Sequence, residues 1–162
     1  EVEKQENIKK QKEVFIAQIE FAKKVKKPLI VHIREASNDS RQILIDCNAQ
    51  EVGGVLHCFN ASEHLLPLVE HNFYFGIGGV LTFKNAKKLV EILPQIPKDK
   101  LLIETDAPYL TPHPHRGERN EPYYTVFVAQ KMAELLNITA EEIQELTTNN
   151  AKKLFKEFSS LS

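Results

Sequence analysis

Two histidines and an acidic pair stand where short apolar runs end. His32 lies near the close of Pro28-Leu-Ile-Val-His-Ile33 and His57 near the close of Gly54-Val-Leu-His-Cys-Phe59. Glu104 and Asp106 sit at the end of Lys100-Leu-Leu-Ile-Glu-Thr105 and just beyond it. Two imidazoles and a carboxylate are donors that hold zinc, manganese or a similar divalent ion, and such an ion activates water for hydrolysis. The competing reading is structural. A histidine in a strand is often simply hydrogen-bonded, and an acid at a strand end often caps the helix that follows.

Strand geometry gives these residues a common side. Side chains alternate between faces, so Ile30, His32 and Arg34 share one face of the first run, and Val55, His57 and Phe59 one face of the second. Leu102, Glu104 and Asp106 share a face at the last. Cys58 is expected to point away from His57, which argues against a Cys-His nucleophilic dyad. Parallel sheets collect ligand and catalytic groups at the C-terminal ends of their strands, where these residues fall.

The elements that must carry them alternate. Helical spacing runs from Glu3 to about Lys27, from Ser37 to Cys47, from Ser62 to about Val69 with Pro67 inside, and from Asn85 to Leu93. Phe73-Tyr-Phe-Gly-Ile77 supplies a further strand. Helices follow over Tyr124 to Asn137 and from Thr139, where Glu142 completes a capping box. Regular β-α alternation predicts an α/β fold with a parallel sheet covered on both faces, as an open doubly wound sheet or as part of a (β/α)₈ barrel. The connection from Ala107 to Pro122 holds four prolines, two histidines and two arginines and is long for its kind.

Composition bounds the rest. With 162 residues, 42% hydrophobic and 27% charged, a single globular domain over 1–162 is expected. A net charge of -1 provides no broad basic field, so any polyanion must be held locally. No apolar run reaches the roughly 20 residues of a membrane helix, and a soluble, cytoplasmic protein without a membrane partner is expected. Cys47 and Cys58 read as free thiols. Gly76-Ile-Gly-Gly79 fails the dinucleotide fingerprint because position 81 is Leu81. His64 and His71 read as surface residues, and His113 and His115 as loop residues that are structural, exposed or in contact with ligand.

Five segments taken in order resemble the TatD-type metal-dependent deoxyribonucleases of the amidohydrolase-like group. They are Pro28-Leu-Ile-Val-His-Ile-Arg-Glu-Ala36, His57-Cys-Phe59, Glu104-Thr-Asp-Ala-Pro108, His115-Arg-Gly-Glu-Arg-Asn-Glu-Pro122 and Asn149-Asn-Ala-Lys-Lys-Leu-Phe155. The resemblance implies a (β/α)₈ barrel with one or two divalent ions, Zn, Mn or Mg, and phosphodiester hydrolysis of DNA, with a 3'-5' exonuclease as the expected form. It implies metal ligation by His32, His57 and Asp106, with Asp106 also orienting the attacking water. Arg34, Arg116 and Asn120 become candidate substrate contacts, and Glu104 and Glu121 candidate supports of the ligands. For Asn120 and Glu121 the alternative is that they only close the loop.

The same resemblance marks a departure. The family's His-x-His pair and its Gly-Glu-Ile-Gly-Leu-Asp-like segment have no counterpart here. The segments present resemble barrel strands five to eight, so the chain is expected to be the C-terminal part of the enzyme, with a partial metal site, weak activity alone and sheet edges that invite homo-oligomers. The alternatives are another amidohydrolase-like hydrolase acting on an ester, lactone or amide, and an inactive fragment.

Overall fold

The structure, a computed structural model, describes residues 2–156. Four strands, β1 (Leu29–His32), β2 (Gly54–His57), β3 (Phe73–Ile77) and β4 (Leu101–Ile103), form one sheet in the order β1-β2-β3-β4. All three pairings are parallel, and His32 is level with His57 in the register. Each strand thus lies beside its sequence neighbour. A doubly wound sheet reverses direction at a switch point, and these strands have none.

Helices α1 (Val2–Val25), α2 (Ser37–Asp46), α3 (Lys87–Ile92), α4 (Thr125–Leu136) and α5 (Ala140–Leu154) flank the sheet, and all five contribute to the core on one of its faces. Between β2 and β3 the expected helix is instead a 3-10 segment over Glu63–His71. Pro67 lies inside it, has no N–H to donate and would clash with the carbonyl four residues back, so an α-helix cannot run through. The final helix starts as its sequence requires: the Thr139 side chain accepts from the Glu142 N–H, and the Glu142 carboxylate accepts from the Thr139 N–H.

One face of the sheet carries the main core. Val31, Ile33, Leu56, Phe73, Phe75, Ile77 and Leu101 pack with Ile19 and Ala22 of α1, Leu44 of α2, Val128 and Met132 of α4 and Ile143 of α5. On the other face Val55, Tyr74 and Leu102 meet Leu154 at the end of α5, with Ala151 and Phe155 beside it. Ile30 belongs to this second face by alternation and is 68% exposed. Among the described residues no helix is long and apolar enough to cross a membrane.

Candidate functional site

At the C-terminal ends of β2 and β4, His57 stands between two carboxylates. Its Nδ1 lies 2.7 Å from Glu104 Oε2 and its Nε2 lies 2.9 Å from Asp106 Oδ1. Glu104 is itself fixed, because its other carboxylate oxygen accepts from the Cys58 backbone N–H. Its side chain is 14% exposed. The room for it comes from β3: a Cβ at Gly76 would collide with the Glu104 carboxylate, and one at Gly78 would touch its backbone and side chain. A single glycine in an otherwise bulky strand lets an acid lie across the sheet between β2 and β4.

Electrostatics follow from that packing. Burial pulls the His57 pKa down, but the charge and hydrogen bond of Glu104, and then those of Asp106, outweigh it, and the net direction is up. Burial raises the Glu104 carboxyl above its ordinary value, while His57 and the Cys58 N–H pull it back. The Cys58 thiol is pushed up to about 12 by burial first, then by the charge of Asp106, a hydrogen bond to it, and the charge of Glu104. It stays protonated and is no nucleophile.

The arrangement suits a divalent ion. If Nδ1–H donates to Glu104, Nε2 presents a lone pair to Asp106 Oδ1, and two lone pairs 2.9 Å apart require a positive charge at that place. A proton provides it in the arrangement described, and a metal ion is the alternative that neutral imidazole and carboxylate bind together. His32 stands beside this group, its ring centroid 6.1 Å from that of His57 and tilted by 52°. Among the described residues no three donors stand close enough together to form a ready-made cage.

The remaining candidates fall into two sets. Arg34 is exposed and, with His32, borders a groove of about 1080 Å³ between α1 and the start of α2; His57, Glu104 and Asp106 are not among its lining residues. Arg116 is exposed but occupied, its guanidinium 3.9 Å from the Phe83 ring centroid and its Nη1 donating to the Thr111 carbonyl at 3.1 Å. Asn120 is buried at 4% exposure and donates through Nδ2 to the Tyr109 carbonyl and to Thr105 Oγ1. Those bonds close the loop. Glu121 is exposed, and its carbonyl accepts from the Tyr124 N–H.

Alternation misplaced two side chains. Cys58 has φ 49°, so the strand ends at His57 and the chain turns there. The Cys58 thiol consequently reaches Asp106 rather than the far side, and Phe59 joins the main core, where its ring meets Phe75 edge-on at 4.9 Å. The role of Gly76 was also hidden. The signal for it was a glycine on a strand between the two that carry His57 and Glu104, where a close approach of another group is the usual reason.

The family described as TatD related DNase matches residues 1–156. The chain belongs to the TatD family. Among its relatives, YabD of Bacillus subtilis (strain 168), described as an uncharacterized metal-dependent hydrolase, is 52% identical over 147 residues, which are 90% of this chain and 58% of that protein. YcfH of Escherichia coli (strain K12), described in the same words, is 41% identical over 147 residues, 90% of this chain and 56% of that one. The crystal structure of YjjV, a TatD homolog from Escherichia coli K12, superposes with TM-score 0.79 at 29% identity over 86% of this chain and 54% of that one. An amidohydrolase structure from Saccharomyces cerevisiae shares the fold, with TM-score 0.72 at 21% identity over 90% of this chain and 59% of that one. This TatD chain thus spans a little over half the length of the relatives it matches. Metal dependence and hydrolysis belong to the descriptions of YabD and YcfH, the full-length relatives.

Proposed function

We propose that this TatD chain contributes one half of a (β/α)₈ barrel, strands five to eight, to an enzyme that hydrolyses DNA phosphodiester bonds, as a 3'-5' exonuclease. The observation that carries this is His57, oriented at one nitrogen by Glu104 and facing Asp106 with the other across 2.9 Å. In that role His57, Asp106 and His32 hold a divalent ion, Zn, Mn or Mg. When bound, the ion lowers the pKa of a water and neutralises charge on the phosphoryl oxygens.

The chain's own groups do the rest. Glu104 keeps the Nδ1 proton on its side of the ring, so that Nε2 faces the reacting region. Asp106, 29% exposed at its side chain, is placed to receive the proton of the attacking water. Arg34, exposed just beyond the C-terminal end of β1, would meet a phosphate oxygen, whereas Arg116 would first have to leave the Thr111 carbonyl. The remaining ligands belong to the portion that the relatives have and this chain does not span, so the chain alone binds metal weakly and turns over slowly.

Asp106→Asn in the full-length protein tests the assignment. Nuclease activity with added divalent metal on a single-stranded oligonucleotide should vanish while circular dichroism is unchanged. Retained turnover refutes it, and hydrolysis of a small ester or lactone in place of DNA would move the enzyme to the wider amidohydrolase chemistry.

A further inference from the structure

We propose that Tyr109 is a nucleobase platform, its ring stacking on a base of the bound DNA strand beside the hydrolytic rim. The proposal rests on the DNA-hydrolase reading and adds a recognition site to it. Tyr109 is 74% exposed, and among the described residues its ring pairs with no other ring. An exposed tyrosine on a mobile tip would be unremarkable, but both the N–H and the carbonyl of this one are hydrogen-bonded, as is the carbonyl before it.

The Tyr109 N–H donates to the Asp106 carbonyl at 2.7 Å, which ties the residue to the acid at the centre of the site. The Asn120 N–H donates to the Pro108 carbonyl at 3.0 Å, and the buried Asn120 side chain donates to the Tyr109 carbonyl at 2.7 Å. That nitrogen assignment is forced, because a carbonyl only accepts. The arrangement leaves Asn120 Oδ1 buried and, among the described residues, without a hydrogen-bond partner. The loop therefore keeps an unfavourable buried oxygen in order to fix the peptide that carries Tyr109. On the far side a Cβ at Gly79 would run into the Leu110 carbonyl, so the next residue is also set tightly against the end of β3.

None of these bonds uses the phenol. The backbone is rigid and the ring is displayed, which is the form in which an aromatic side chain binds at least entropic cost. Every base has a π-face, so one ring serves any sequence.

The test uses the full-length protein with a single-stranded oligonucleotide and with the same strand built from abasic nucleotides. Tyr109→Ala should lower kcat/KM on the normal strand by about 10-fold, as loss of one stacked base implies, while Tyr109→Phe stays within about 2-fold. On the abasic strand the wild type and Tyr109→Ala should be equal. An equal loss on both strands, or no loss on either, overturns the platform, as does an equal loss in Tyr123→Ala, a control ring that is 75% exposed. Binding without turnover gives a second readout. In EDTA, a strand carrying a fluorescent aminopurine base should be quenched by wild type and Tyr109→Phe but not by Tyr109→Ala. Quenching without cleavage on metal addition would sink the nuclease reading and leave the platform standing; cleavage with equal quenching in all variants would do the reverse.

Discussion

Gly76 and Glu104 are fitted to one another across neighbouring strands. Gly76 pairs with Leu102 in the parallel register, two positions before Glu104, and its bare Cα is what the Glu104 carboxylate lies over. The carboxylate then reaches past β3 to His57 on β2. The sheet's missing side chain is as much a part of the site as the acid.

Gly76→Ala should therefore act on the site and on stability together. The added methyl has nowhere to go except into Glu104, whose displacement frees the His57 ring to rotate. Loss of a group that orients a ligand typically weakens metal binding by about 10- to 100-fold, and overpacking costs about 1–3 kcal/mol. Calorimetric titration of the full-length protein with zinc or manganese and urea denaturation read the two effects, and unaltered metal affinity would contradict the fit.

Glu104→Gln separates charge from shape. In the metal-free protein the His57 pKa is raised against the pull of burial, first by Glu104 and then by Asp106. Removing the Glu104 charge should lower it, as followed by NMR titration of the imidazole. The sign for stability follows. A raised histidine pKa adds stability that is complete below the unfolded value, near 6.5, and is lost as pH rises through the folded value. Wild type should thus exceed Glu104→Gln most clearly in acid, with the gap closing toward alkaline pH. A gap that widens with rising pH would reverse the assignment.

A second pH dependence runs the other way at the last helix. Glu142 accepts from the Thr139 N–H, and that bond, with the Thr139 side chain, holds its carboxyl below the usual 4.5. A depressed carboxyl adds stability above its unfolded pKa and loses it as pH falls through the folded one. Comparing thermal midpoints of wild type and Glu142→Gln should show a difference at neutral pH that disappears in strong acid. Thr139→Ala should cost about 1 kcal/mol at neutral pH.

Much of this was legible in the sequence because the relevant signals are local. The capping box at Thr139 needs only two residues three apart, and it formed as read. The strand over Phe73–Ile77 lay where its aromatic run placed it. Parity brought His57, Glu104 and Asp106 to one rim because each sits at or just past the end of its strand. It failed one residue later, at Cys58, since a left-handed turn resets alternation and nothing in His-Cys-Phe announces it. Gly76 and the burial of Asn120 depend on what approaches from other strands and from the loop, which spacing along the chain does not encode.

Asn150 shows the same dependence at the opposite end of the sheet. Its side chain is 1% exposed and donates to the carbonyls of Lys98 and Leu101, where the chain enters β4. Asn150→Leu removes both donors and leaves buried acceptors, at about 1–3 kcal/mol for each group left unpaired. A urea midpoint that does not fall would show that these carbonyls find water instead.

The sheet itself supplies the last prediction. Among the described residues β1 and β4 each pair on one side only, and Ile30 on the second face is 68% exposed. An unpaired strand edge beside an exposed aliphatic side chain is a template for another chain. The isolated chain should self-associate with concentration in light scattering, and Ile30→Lys should reduce that association by placing a charge on the face that has to close. A monodisperse wild-type monomer would mean that the edges are protected by their own twist, and equal association in Ile30→Lys would place the contact elsewhere on the surface.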